Sequence, residues 1–343
     1  MNYNVIARRV IFPLSMIVLI SGCEWGMEES AYEEQLVVFG HLRANNPLLD
    51  TVYVSLSHAI DESIDLPAKW ISDATVTLWD GETPAFCLQP VEGRPGRYLD
   101  QHWRPHFIHR ARLYEMAVTW EEYRAHAYTQ VPDTFVVEST ASTEWSCLGQ
   151  PVTIQAIDLH DTENGPNEIA RALESGNYRS LKMDTVYYRQ DVCYASSLAS
   201  IPLFILQLES ESSSDSYVAR ITTLALDDAV HHAIIDTSSL ANTLKGTMQE
   251  DENGNLYRSN SHTWSSGADI IFFNWLSFNY YGPHLVTIEV TDESLHDYLE
   301  GSAEGYNPFK PPGGNIEGGH GLLYSSYTYL FVVNVAQFGA PQY

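Results

Sequence analysis

Histidine, cysteine and carboxylate are the residue types in this chain most able to do chemistry. His102, His106 and His109 stand together in "HWRPHFIHRARLY", and three imidazoles that converge on one point make a set of nitrogen ligands for a zinc-type ion. The stretch leads into a strand, where residues three apart face opposite sides. The expectation is therefore loop or half-buried histidines, with no metal bound. The 44 Asp and Glu residues make it certain that some carboxylates lie close in space, but nothing in the sequence singles out a glycosidase-like pair. There is no G-x-S-x-G elbow, no H-E-x-x-H, no phosphate loop and no dinucleotide fingerprint. No catalytic residue is assigned, and no cofactor is expected.

The four cysteines separate into one and three. Cys23 closes "IVLISGCEW", in which Arg8 and Arg9 precede an apolar run from Val10 to Ile20 that is too short to span a bilayer. The residues Ile20-Ser21-Gly22-Cys23 look like a bacterial lipobox, with cleavage before the cysteine and acylation of its thiol. Residues 1–22 are then a lipoprotein signal peptide, and Cys23 is the lipid anchor. Of the remaining three, Cys87 and Cys147 both lie near the first expected domain and form the expected disulfide if one forms in an oxidising compartment. Three buried thiols are the alternative.

Charge excludes a class of partner. The whole chain carries a net charge of −26, and losing Arg8 and Arg9 with the signal peptide makes that −28. Such a surface repels phosphate backbones and anionic headgroups, so nucleic acid is excluded and membrane attachment falls to the acyl chains on Cys23.

These groups need elements to hold them. "EWGMEESAYEEQ" carries five glutamates and little that could form a core, so residues 23–35 read as an acidic tether spanning typically ~20 Å and at most ~40 Å. After it the period becomes two. In "TVYVSLS", Val52, Val54 and Leu56 point one way and the residues between them the other; "LVVFGHL", "ATVTLWDGETPAFCL" with a turn at Asp80-Gly81, and "RLYEMAVTW" repeat the pattern. Residues 36–137 are predicted to be an antiparallel β-sandwich of immunoglobulin or transthyretin type. Residues 138–343 are predicted to be a second β-rich domain with few short helices, the boundary falling between about Pro132 and Gln150. Its strongest strands are "IPLFILQL", "DIIFFNWLSF", "HLVTIEV" and "YTYLFVVNV". One helix is predicted over Pro166 to Ser175, with proline at its first position and Gly176 as terminator. Another follows Thr291 as cap and stops at Gly301. "EDENGNLY" reads as a hairpin turn, because Leu256 stands where a calcium loop needs glycine. "GYNPFKPPGGNIEGGHGLLYSSYTYLFVV" combines prolines and glycines before the last strand. Its loop from Asn307 to His320 is the candidate docking surface, since glycine lets another backbone come close.

The chain resembles a family of uncharacterised envelope lipoproteins known as domain of unknown function 4249. The features that carry the likeness occur in order: the lipobox at Cys23, "LVVFGHL", "ISDATVTLWD", the "PGRY" turn, "AYTQVP", "VTIEVTDESLHDYLEG" and "NPFKPPGGNIEGGHGLLYSSY". In the last of these Asn307, Pro308, Phe309, Asn315, Gly319 and Gly321 fall on the pattern, while Leu322 and Leu323 depart from it. The resemblance implies a lipid-anchored outer-membrane protein, facing the periplasm or the cell surface, often encoded beside a TonB-dependent receptor. The expected function is a non-enzymatic accessory or ligand-capture partner of such a transporter, with a small ligand, peptide or glycan as cargo. A lipid-anchored glycan or peptide hydrolase and a structural envelope or adhesion protein are the alternatives.

If Cys23 carries the anchor, Cys23→Ala releases the protein from the membrane fraction. Labelling with a fatty-acid analogue is then lost as well; a variant labelled as strongly as the wild type contradicts the assignment.

Overall fold

Period-two segments dominate the chain, and the backbone follows them. The computed structural model describes residues 32–48, 52–59, 69–81, 86–102, 106–147, 149–159, 166–188, 201–210, 218–229, 232–234, 248–250, 253–254, 256–267, 269–303 and 313–337. The first half holds β1 (Leu36–Arg43), β2 (Val52–Leu56), β3 (Thr75–Trp79), β4 (Phe86–Pro90), β5 (Arg97–Leu99), β6 (Leu113–Trp120) and β7 (Tyr123–Gln130). The second holds β8 (Phe135–Ser139), β9 (Ser142–Cys147), β10 (Gln150–Ile154), helix α1 (Pro166–Ser175), β11 (Asp184–Tyr188), β12 (Phe204–Ser210), β13 (Ala219–Ala225), β14 (Met248–Glu250), β15 (Leu256–Arg258), β16 (Ser261–Ser266), β17 (Ile270–Phe273), β18 (Gly282–Thr291), helix α2 (Glu293–Ala303) and β19 (Gly319–Gln337). The fold is mainly β and mainly antiparallel. No helix among the described residues is long and apolar enough to cross a membrane.

In the first half, alternate residues turn inward: Val52 and Val54, Val76 and Leu78, Phe86 and Leu88, and Tyr114, Met116 and Val118 are all buried in one core. Two layers enclose it. Strand β4 serves both, since Phe86 to Leu88 pair with β3 while Gln89 and Pro90 pair with β5. At the far edge His126 of β7 exchanges backbone hydrogen bonds with Glu317, just before β19, and so brings the outermost strand back toward the terminal one. The core includes Ile316 and Leu323. The final strand thus belongs to the first sandwich as well as to the second half of the chain.

That strand is the unexpected element. The sequence places a loop up to His320, yet β19 starts at Gly319 and runs for 19 residues. Its first part lies parallel to β1, from Leu36↔Gly319 to Arg43↔Ser326. Its second part lies antiparallel to β18, from Thr291↔Ser326 to Gly282↔Val335, and its end pairs in parallel with β11. One twelve-stranded sheet therefore crosses both halves. In the second half Ile221, Ile288, Phe331 and Val333 on one face of this sheet pack on Phe204, Leu206, Ile271 and Phe273 of a three-stranded sheet, β17-β12-β8. On the other face Ile169 and Ala172 of α1 cover Val332.

Both expected helices form, but the second runs through Gly301, its expected stop, to Ala303. Helix α1 has the bounds read from Pro166 and Gly176, and Gly176 has the positive φ of a helix terminator, 67°. The expected cap of α2 moves by one residue: the Thr291 hydroxyl donates to the Val218 carbonyl, while the Asp292 carboxylate next to it accepts from the Leu295 N–H in the first turn. Strands β14 and β15, on either side of the turn read in "EDENGNLY", pair antiparallel with Glu250 opposite Leu256.

The parallel β1–β19 contact leaves no room for a side chain at Gly321. Its φ is 116°, and a Cβ there would collide with the Val38 carbonyl oxygen. Gly321→Ala is expected to cost at least about 3 kcal/mol in a urea titration, whereas Gly81→Ala, strained in φ but with open space around it, is expected to cost about 1 kcal/mol. Equal losses would mean that the close approach does not matter.

Candidate functional site

Pairing register assembles a polar row across the seam between the halves. Arg220 of β13 lies opposite Glu289 of β18, and Glu289 opposite Thr328 of β19. Two positions further along, on the same face, stand Thr287 and Leu330. The turn after β1, Ala44 to Asn46, rises beside this row. It is held by hydrogen bonds from Ala44 N to the Ser326 carbonyl (2.7 Å) and from Asn45 N to the Ile108 carbonyl (2.7 Å). The Asn46 side-chain amide donates to the Ala44 carbonyl at 2.9 Å. Between row and turn lies an open groove of about 500 Å³, lined by Arg43 to Asn46, Arg220, Thr287, Glu289 and Tyr327 to Leu330.

Glu289 is the charged centre of the groove. It is buried, its Oε2 lies 2.6 Å from Arg220 Nη2, and its Oε1 accepts from the Ser326 hydroxyl at 2.8 Å. His41 Nε2 approaches to 3.2 Å of Oε1 and 2.8 Å of Ser326 Oγ, with its ring stacked 4.2 Å from Tyr324. Burial by itself pushes the carboxyl pKa up. The His41 hydrogen bond, the charges of Arg220 and His41 and the Ser326 hydroxyl outweigh it and hold the pKa down at about 2. An acid this low is ionised throughout the physiological range and does not deliver protons. Together with the arginines, it suits recognition of polar or charged groups.

A second polar cluster sits after β5. Asp100, 2% exposed, accepts hydrogen bonds from the backbone N–H groups of His102 (3.1 Å) and His106 (2.7 Å). Both imidazoles turn to it as well, with Nδ1 at 2.5 Å and 2.9 Å. Burial pushes the Asp100 pKa up, but these four bonds prevail and hold it at about 2. The expectation that the strand would turn these histidines apart does not hold for the first two, since both rings reach Asp100. His102 and His106 share one partner. His109 stands apart and exposed, its N–H donating to Tyr114 Oη at 2.9 Å.

The other residues chosen from the sequence divide clearly. Cys23, Asn307, Pro308 and Phe309 lie outside the described residues. The expected Cys87–Cys147 disulfide is not formed. Cys87 is a free, exposed thiol, because β4 turns Phe86 and Leu88 into the first core and so turns Cys87 outward. Cys147 packs against the second core and is disulfide-bonded to a residue outside the described ones. Asn315 is used internally: its amide donates to the carbonyls of Tyr128 (2.8 Å) and Leu323 (2.7 Å), and its carbonyl accepts from Leu323 N (2.9 Å). Gly319 is internal too, since a Cβ there would lie 2.5 Å from the Leu36 carbonyl oxygen. Within the proposed docking loop these positions and Gly321 serve the β1–β19 joint.

Arg220, Glu289 and Asp100 were not legible as site residues. Glu289 stands in "VTIEV", the one charge on an otherwise buried strand, which is the signal that could have marked it. Asp100 looks like one of many acids, and only the four donors that meet on its carboxylate set it apart.

A family model described as a domain of unknown function (DUF4249) matches residues 24–328. No curated protein matches the chain.

The low Glu289 pKa makes a pH prediction. The group binds its proton more weakly folded than unfolded, so its stabilisation is complete above the ordinary value of 4.5 and is lost as pH falls from there toward about 2. Relative to wild type, Glu289→Gln is expected to be less stable at neutral pH. The difference between the two should shrink by about 3 kcal/mol across that window. Parallel stability curves for the two proteins would show that the carboxylate is not tuned.

Proposed function

The chain belongs to the DUF4249 family, and from that premise we propose that it is a lipid-anchored outer-membrane protein acting as a non-enzymatic capture partner of a TonB-dependent transporter. The groove at the seam carries this reading. It offers a fixed asparagine turn, arginines on either side of one ionised carboxylate, and backbone from a strand that both cores hold still. Capture by a preorganised surface needs those properties, because little side-chain freedom is then lost on binding. Acid–base hydrolysis needs a proton donor poised near neutral pH, and Glu289 is held far from that range. The lipobox at Cys23 and the acidic tether place the folded part within reach of the membrane surface. The segment Asn307 to Phe309 precedes the anchored end of its loop in sequence and is the second contact we assign.

The test is a pull-down from detergent-solubilised membranes with the acylated full-length protein. Wild type is expected to bring down a TonB-dependent receptor. Arg43→Glu, on an exposed position of β1, should reduce its recovery at least about fivefold, equivalent to about 1 kcal/mol, with unchanged melting. Phe309→Ser is measured on the same samples; capture lost at constant melting assigns the loop, and lost melting returns Phe309 to the core. A wild type that carries no receptor, or a hydrolytic activity abolished by one carboxylate substitution, overturns the reading.

A further inference from the structure

The cluster at Asp100 has the composition and geometry of a metal centre, and it lies in the first sandwich, apart from the seam groove. One potential ligand atom from each of Asp100, His102 and His106 lies within 4.8 Å of the other two. The carboxylate is fixed. Its side chain has no exposed surface, and two backbone N–H groups hold one oxygen each. The two rings differ in freedom. His106 is stacked face to face on Phe86, with centroids 3.8 Å apart and planes 4° from parallel, and Phe86 is itself part of the core. His102 lies edge-on to His106 at 5.6 Å and is half exposed. A rigid carboxylate, one ring braced by an aromatic and one ring free to adjust form a tripod open to solvent on one side.

We propose that Asp100, His102 and His106 bind a divalent cation of borderline softness, zinc foremost. Two imidazoles and one carboxylate are the donor set of many zinc sites with an open position, whereas magnesium and calcium prefer oxygen donors throughout. Bonds of about 2.1 Å in a tetrahedron separate the ligand atoms by about 3.4 Å. The carboxylate and Nδ1 atoms now stand 2.5 Å and 2.9 Å apart, and a small rotation of the exposed rings opens that spacing. Each Nδ1–H···O bond is then exchanged for a nitrogen–metal bond, and the proton of each neutral ring passes from Nδ1 to its own Nε2 by exchange with solvent. Water occupies the fourth position. His109, though it completes the H-x₃-H-x₂-H run, takes no part, since its neighbours in space are different.

The experiment titrates the full-length protein in detergent with Zn²⁺ alone, by calorimetry and by melting temperature. Wild type is expected to bind one Zn²⁺ per chain saturably and to melt higher in its presence. His102→Ala, an exposed position whose loss does not open the core, and Asp100→Asn should each weaken binding at least about tenfold and remove the rise in melting. His109→Ala should behave as wild type, and Mg²⁺ should produce neither effect. If Asp100→Asn fails to fold, His102→Ala and His106→Ala decide the matter. Absence of saturable binding, or binding that survives both histidine variants, overturns the proposal. A stability loss in Asp100→Asn without any Zn²⁺ effect on wild type also overturns it and leaves Asp100 as a loop brace.

Discussion

Everything in this molecule depends on one strand satisfying three partners. β19 gives its first half to β1, its second half to β18 and its end to β11. Within the membership of a single strand, Leu323 enters the first core and Phe331, Val333 and Val335 enter the second. Tyr327, between them, packs against both. A strand interior has no spare hydrogen-bonding capacity, so a slip of one residue would turn each of these side chains to the wrong face in both halves at once. Register along β19 is therefore fixed twice over. The glycines at its entry, which look from sequence like material for a flexible loop, are what allows the close parallel approach to β1.

The same joint explains why the polar groups lie where they do. Thr129, Asp292 and Ser325 meet where β7, the start of α2 and β19 converge, and Ser325 also donates to the Gln130 carbonyl. Burial pushes the Asp292 pKa up against the bonds that it receives. One face over, His41, Ser326, Glu289 and Arg220 link β1, β19, β18 and β13 in a continuous chain. Such groups cost desolvation energy and return it only with full partnering. A sheet that brings strands from both halves side by side supplies partners for Glu289 on both oxygens, whereas Asp292 Oδ1 stays buried without a hydrogen bond among the described residues, and the groove opens along the same line.

Much of the strand content was legible, for a physical reason: where one face of a strand meets a core, period two is strong. Val52 and Val54, Val76 and Leu78, and the apolar runs that became β12, β18 and β19 show this. Helix α1 was legible because proline and glycine bracket it. The strands β13, "ARITTLA", and β16, "SHTWSS", were not, since in β13 Thr223 faces the interior and Leu224 the opposite side, and in β16 only half-buried Trp264 breaks a run of polar residues. The parallel pairing was hidden for another reason. No local pattern reports that residue 36 will lie beside residue 319, and Asn315, Gly319 and Gly321 signal a close approach without naming what approaches. The site suffered likewise: Glu289 and Arg220 meet only through register, and Asp100 gathers His102 and His106 through backbone and ring hydrogen bonds that no spacing announces.

The position of β1 has a consequence in time rather than in space. Among the described residues it is the first strand, it lies inside the sheet, and its hydrogen-bonded neighbour on one side is the last; His41 and Ser326 touch across 285 residues of sequence. A chain that emerges from a ribosome or a translocation pore amino end first must hold β1 with one edge unpaired until almost the whole polypeptide has appeared. Contacts this distant close slowly. The protein thus carries its own delay: the pairing of β1 with β19 cannot close before the second half of the chain exists.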